Sequence, residues 1–452
     1  MSDSPFRSGA FAPVFTDLSS QACTVSSGSI PRELVGAYMR NGPNSPVEPA
    51  GPYIFPLDGD GMVHSVRFED GQARYTRQFV RTPMLEAEIE ADRPLWGTVM
   101  MGLQPLPGSG VEGTKDLPDI NVLRHAGQLI ALAEGTRSYG LHRHDLTTMG
   151  PVDFWGQYPL GGTAHPKVDP TTGNLLLFSY LPEAPFLNWC EIGADGSVVR
   201  PVTPIEGLDF PSMVHDCAIT AEHLVIPVYP LVFDAENVLG VEGNPMRWEP
   251  ERGTRIAVIE RATGKVTWCE APPRWAWHTA NAFVSSPGTV YLDLVMHDAF
   301  LMPGQGGGDH ATMRRLELNL ANATTTEHQL APYAGEFPRV DDRFLGQLAP
   351  ESAMAGMVEE LPSFNAIITV DTTSGAVDHW AGDQPVGEPV YIPHPSVEGD
   401  GWWCVLRPAP EGGVSQLLLL EAGNVSAGPV TVIDLPDRVP VGLHGAWLPG
   451  PA

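Results

Sequence analysis

The sequence predicts an all-β fold, a β-propeller, and three observations predict it. Short stretches rich in Val, Ile, Leu and aromatic residues recur along most of the chain. Each closes on an acidic or Thr residue followed by Gly, as in Asp169-Pro170-Thr171-Thr172-Gly173 and Asp371-Thr372-Thr373-Ser374-Gly375. Glycine (48) and proline (45) make up about a fifth of the 452 residues and follow no period, as many tight turns between short strands require. Segments with a helical pattern are few, and strand–turn–strand units repeated over hundreds of residues are the mark of a propeller.

In chain order, residues 1–27 read as an N-terminal arm, irregular to about Ala22, and 28–452 as a single domain, because no linker long enough to divide the chain occurs. The stretch Tyr53 to Phe68 is a Gly/Asp-rich turn running into an alternating strand. Glu69-Asp70-Gly71 then turns the chain into Ala73–Val80, a hairpin signal. The same recipe returns at Leu123–Leu132 around His125-Ala126-Gly127, at Val168–Phe178, at Ile256–Trp268 and at Ala366–Val377. Two stretches depart from it. In one, Met84–Glu90 reads as helix and Leu95–Leu106 is markedly apolar; in the other, Gln305-Gly306-Gly307-Gly308-Asp309 reads as a flexible loop. Seven blades would take about 65 residues each, room for four strands and insertions.

A hydrophobic share of 42% supplies a core, and a charged share of 18% argues against disorder. The formal net charge of -28 excludes nucleic acid as a partner, since phosphates demand a basic surface, and equally excludes charge-driven docking to an anionic membrane. Peripheral contact of another kind with a membrane stays open. Five scattered cysteines without a CxxC pair suit reduced thiols. The start Met1-Ser2-Asp3-Ser4-Pro5 lacks the basic and apolar regions of a signal peptide, and no apolar run approaches the roughly 20 residues that cross a bilayer. A cytoplasmic location is the expectation.

Four of the 14 histidines share a setting of small or apolar neighbours, as an imidazole pointing into a protected interior would have. They are His165 (Thr163-Ala164-His165-Pro166), His215 (Met213-Val214-His215-Asp216), His278 (Trp277-His278-Thr279-Ala280) and His444 (Leu443-His444-Gly445). Four neutral imidazoles with no thiolate suit Zn, Cu, Ni or Fe(II). Their separations of 50, 63 and 166 residues match no local metal motif, so only a closed fold unites them. A propeller does so because its inner strands converge on one axis.

The words around these histidines resemble the carotenoid cleavage oxygenase family. Arg40-Asn41-Gly42-Pro43-Asn44, Asp58-Gly59-Asp60-Gly61-Met62-Val63-His64, Ala131-Leu132-Ala133-Glu134-Gly135 and Ala164-His165-Pro166-Lys167 carry the resemblance. So do Met213-Val214-His215-Asp216, Glu336-Phe337-Pro338-Arg339, Gly387-Glu388-Pro389-Val390-Tyr391 and Leu443-His444-Gly445, all in family order between about 28 and 447. The resemblance implies a seven-bladed propeller with a helical and loop cap over an axial Fe(II), held by His165, His215, His278 and His444. It implies that Glu134, Glu336 and Glu388 orient those imidazoles, since a ligating ring needs its other N–H held. It also implies O2 and a hydrophobic alkene as reactants, with cleavage of a C=C bond into two carbonyl products.

His64 follows a turn within a strand and reads as structural. Phe55 is a candidate to line the substrate pocket, with core packing as its plain alternative. Where the family often has Thr near the open metal position, this chain has Ile120, which puts its handling of oxygen in question. Relatives acting on phenolic stilbenes and phenylpropanoids carry Lys just before the first of the three glutamates. Here that residue is Ala133, which favours an apolar polyene, a carotenoid or apocarotenoid. Leu95–Leu106 then reads either as a substrate-access patch or as an ordinary buried segment. The readings kept open are the same chemistry on a phenylpropanoid or stilbene alkene, an isomerising relative of the enzyme, and a propeller that only binds a ligand.

Overall fold

The computed structural model describes residues 4–54, 56–233, 246–301, 311–358, 363–397 and 399–450. Phe55 and the stretch Gln305-Gly306-Gly307-Gly308-Asp309, read from the sequence as a loop, lie outside the described residues. The chain is nearly all β, and its strands group into successive antiparallel sets that run from an inner to an outer strand. One set is 121–125, 128–132, 138–141 and 148–152; the next is 167–168, 175–180, 187–192 and 198–204. Then come 218–219, 223–228, 254–260 and 266–271, and after them 279–286, 289–296 and 312–319. The long strand Thr324–Val340 serves two sets: its first half pairs with 312–319 and its second half with 351–357. This propeller is closed by pairing distant parts of the chain. Strand Gly445–Pro449 lies beside Gly36–Arg40, which continues to 60–69 and 72–79.

The arm differs from the sequence reading. Residues Leu18–Ala22 and Thr24–Gly28 are strands, added as outermost members beside 72–79 and 429–434. The predicted hairpins form where expected, and their chemistry is visible at the turns. Asp371 Oδ1 accepts from the Thr373 and Ser374 N–H groups at 3.1 and 2.7 Å, and Gly375 takes φ 73°. At His125-Ala126-Gly127-Gln128 both central residues have positive φ (44° and 79°), the conformation that a two-residue hairpin prefers.

Apolar side chains fill the space between neighbouring sets. Leu176, Phe178 and Trp189 of one pack on Leu224, Ile226 and Ala257 of the next, all fully buried. Each of the leucine, isoleucine and phenylalanine side chains contributes roughly 1.5–3 kcal/mol by leaving water. The predicted helix spans Pro83–Ala91, started by Pro83 and by the Thr82 hydroxyl, which accepts the Leu85 N–H at 3.0 Å. Buried Glu88 ties the helix down: it accepts from the Leu95 and Trp96 N–H groups and meets Lys115 Nζ at 2.6 Å. Of the apolar stretch that follows, Leu95 and Trp96 are buried while Val99–Leu103 is half-buried. Among the described residues no helix is long and apolar enough to cross a membrane.

Candidate metal centre

His165, His215, His278 and His444 each stand one to three residues ahead of an inner strand: 167–168, 218–219, 279–286 and 445–449. The strands converge, so the four imidazoles meet although up to 279 residues of sequence separate them. One nitrogen from each lies within 4.8 Å of all the others, and every ring is buried. His165 Nε2 is 3.0 Å from His215 Nε2.

The backbone at these heads is fixed by local bonds. Thr163 Oγ1 accepts the His165 N–H at 2.9 Å and donates to the His215 carbonyl at 3.2 Å. Gly161, four residues before His165, has φ 108°, and a Cβ there would fall 1.9 Å from the Thr136 carbonyl oxygen, so only glycine fits. Asp216 accepts from both the N–H and the hydroxyl of Thr279, which ties the His215 strand to the His278 strand, and its other oxygen meets Lys167 Nζ at 2.7 Å. The Asn41 N–H donates to the His444 carbonyl and the Asn41 side chain to the carbonyls of Pro118 and Asn121. Ile120 stands between them, its carbonyl accepting the His444 N–H at 3.1 Å.

Each of the three predicted glutamates faces one imidazole. Glu134 Oε2 lies 2.6 Å from His215 Nδ1, Glu336 Oε2 is 2.6 Å from His278 Nδ1, and Glu388 Oε1 is 2.9 Å from His444 Nδ1. An ionised carboxylate only accepts, so it keeps the proton on Nδ1 and leaves the Nε2 lone pair free. Those lone pairs point at the shared centre, where His278 Nε2 is buried without a hydrogen-bond partner. Burial and the three neighbouring imidazoles push His165 well below the ordinary histidine range, and burial brings His444 down to about 4. Against burial, the Glu134 carboxylate draws His215 upward. Burial alone would raise the Glu388 carboxyl, but Arg339 and His444 hold it down to about 2. Four converging imidazole nitrogens, three of the rings backed by a carboxylate, with His278 Nε2 buried and unpartnered, form a centre that a divalent metal ion fits.

Several residues that the sequence reading did not single out support this arrangement. The Tyr180 hydroxyl donates to Glu134 Oε1 at 2.7 Å, and Arg339 Nη1 lies 3.2 Å from Glu388 Oε1. Phe337, at φ 57°, stacks on His278 and meets His444 edge-on. Trp277 meets His215 edge-on at 5.3 Å and joins Trp275 and Phe300 in an aromatic cluster. Arg339 and Phe337 lie in the motif Glu336-Phe337-Pro338-Arg339, so a signal for them exists in the sequence. His64 sits apart from the centre, its Nδ1 2.7 Å from the Tyr75 hydroxyl, in the structural role read for it.

An all-β propeller whose axial imidazoles are held by carboxylates defines a class of metal-dependent enzymes. The chain belongs to the family described as retinal pigment epithelial membrane protein (RPE65), whose model matches residues 11–449. A carotenoid cleavage oxygenase of Mycobacterium tuberculosis is 32% identical, over 99% of this chain and 98% of its own. An isoeugenol monooxygenase of Pseudomonas nitroreducens is 28% identical, with 94% of each chain covered. The crystal structure of a lignostilbene dioxygenase from Pseudomonas brassicacearum superposes with a TM-score of 0.89 at 27% identity, over 99% of both chains. The resemblance read from the motifs thus holds over nearly the whole chain, and the chain is an oxygenase of this family.

Proposed function

We propose that the chain holds Fe(II) through His165, His215, His278 and His444 and cleaves a C=C bond of a carotenoid or apocarotenoid with O2 to give two carbonyl products. The observation that carries this reading is the set of four imidazoles, three of them backed by Glu134, Glu336 and Glu388. Bound Fe(II) supplies the activation of O2 toward an electron-rich alkene. The chain's own part is to bind, orient and exclude. The carboxylates keep the imidazole protons at Nδ1, which fixes the ring orientations. Trp277, Phe300, Tyr180 and Phe233 offer apolar faces on which a conjugated alkene can stack and from which water is displaced. Ile120 beside His444 contributes an apolar side chain where the family often has a hydroxyl.

The unit that acts is residues 28–452, with the arm strands clipped to its rim. Seven blades are supported by the succession of four-stranded sets. Half-buried Val99–Leu103 is the stretch we assign to handing over the apolar substrate, including by peripheral contact with a membrane. A cytoplasmic location is supported by five unpaired cysteines, four of them buried.

A second substrate class, phenylpropanoid or stilbene alkenes, is favoured by the similarity to isoeugenol monooxygenase and lignostilbene dioxygenase. Ala133 weighs against it, because an alanine offers nothing to a phenolate. Incubation of the Fe(II)-loaded chain with O2 and a panel of apocarotenals, carotenoids, stilbenes and isoeugenol, read out as aldehyde products, tests the proposal. Aldehydes from polyenes that are absent in a His278→Ala control are the expected result. Turnover of phenolic alkenes alone moves the substrate class, and intact substrate throughout refutes the reading.

A further inference from the structure

Acids outnumber bases about two to one in this chain, 54 against 26, so a place where bases gather without acids stands out. One lies at the strand ends farthest from the histidines, where Gly36 pairs with Pro449 on one side and Phe68 on the other. Three arginines from two strand sets line one small cavity there: Arg67 of 60–69, Arg124 of 121–125, and Arg143 in the turn after 138–141. Leu448, Pro449 and Gly450 of the closing segment are in its wall, and among the described residues no carboxylate lines it. Several other half-buried cations are neutralised by acids, as Arg77 is by Asp437, Arg261 by Asp169 and Glu191, and Arg315 by Asp293. Here Arg67 Nη2 donates to the Arg143 carbonyl at 3.3 Å and Arg143 Nε to His144 Nε2 at 3.4 Å, so neutral groups hold the guanidinium planes while their charges go unanswered. Burial lowers Arg67 below the ordinary arginine range, Glu69 opposes this, and the Arg143 charge adds to it.

Three like charges drawn together favour an anion between them, and guanidinium forks match oxyanions through paired N–H donors. The cavity, about 30 Å3, has room for about two waters at roughly 10–15 Å3 each, which suits the terminal oxygens of a single oxyanion. A carboxylate brings one charge and two oxygens to three forks, whereas a phosphoryl group brings nearly two charges and three oxygens. Next to it, sharing Arg67 and Gly450 in its wall, is a second cavity of about 310 Å3 beside Val35, Phe68 and His144. We propose that this end of the propeller binds a phosphate monoester, its phosphoryl oxygens on Arg67, Arg124 and Arg143 and its organic part in the larger cavity. The ester is a soluble one. Val99–Leu103 lies at the opposite strand ends, where the Val99 N–H donates to Asp58 beside the start of 60–69, so a bilayer met there does not reach the arginines. The ligand bridges the closing segment to the first two strand sets, and its binding stabilises the closed ring by mass action.

The test titrates phenyl phosphate into the full chain by calorimetry and follows the melting temperature. Saturable binding with a rise in melting temperature is the expected result, weakened by added salt. The double variant Arg124→Ala, Arg143→Ala, at two exposed positions, binds at least tenfold more weakly with metal content unchanged. Arg93→Ala, an exposed arginine elsewhere, binds as the wild type does. Equal affinity in the double variant, or benzoate bound as tightly as phenyl phosphate, overturns the proposal. So does a chain that ignores phenyl phosphate and sediments with phosphatidic acid vesicles, which would make the source a lipid headgroup.

Discussion

Glu388 meets His444, the Gly445 N–H and Arg339 at once. Replacing it with glutamine keeps the size but removes the charge that fixes the His444 proton on Nδ1. Metal affinity of Glu388→Gln falls roughly 10- to 100-fold, measured by competition with a chromophoric chelator, while the fold is retained. A variant that binds metal as the wild type does would show that His444 needs no carboxylate. At this scale the sequence was legible in part. The histidines stood out by their small and apolar neighbours, whereas the glutamates were found through motif resemblance, because acidic residues are common in this chain. Tyr180 was missed for a physical reason. Nothing local tells which tyrosine meets a carboxylate 46 residues away, and that pairing exists only once two strand sets are side by side.

The hairpins were legible because their turns carry their own chemistry. Asp371 serves one such turn with three accepted hydrogen bonds, from the N–H groups of Thr373 and Ser374 and from the Ser374 hydroxyl. Asp371→Ala leaves those donors to water, and we expect a stability loss of about 1 kcal/mol in urea unfolding, with metal content unchanged. The strands of the arm were not legible. Residues 18–22 and 24–28 are exposed almost throughout and show no alternation of buried and open positions. As outermost strands they are held by backbone hydrogen bonds to one neighbour, a contribution that leaves no apolar pattern to read. The helix at 83–91 shows the contrary case, where a threonine cap and a proline in the first turn announce it.

For the molecule as a whole, acid sensitivity follows from buried bases that stay neutral. Burial, with Arg77 and Arg40 nearby, brings His64 down to about 3 in the folded chain, against about 6.5 when unfolded. Above pH 6.5 the group is neutral in both states and its contribution to stability is complete. As pH falls toward 3 the unfolded chain takes up a proton that the folded chain refuses, so stability is lost progressively through that window. Urea midpoints fall between about pH 7 and about pH 4.5, and His64→Gln makes the fall shallower by about 2 kcal/mol. Equal slopes in the two proteins would mean that His64 is solvated in the native state.

Pairing of Gly445–Pro449 with Gly36–Arg40 also sets an order of events during biosynthesis. A ribosome adds about 5–20 residues per second, so His165 emerges some tens of seconds before His444. During that interval the nascent chain carries three imidazoles at most and an open ring. The complete set of four imidazoles thus exists only in a polypeptide whose last strand has been made, and a product terminated before His444 lacks both that ring and the strand that closes the propeller.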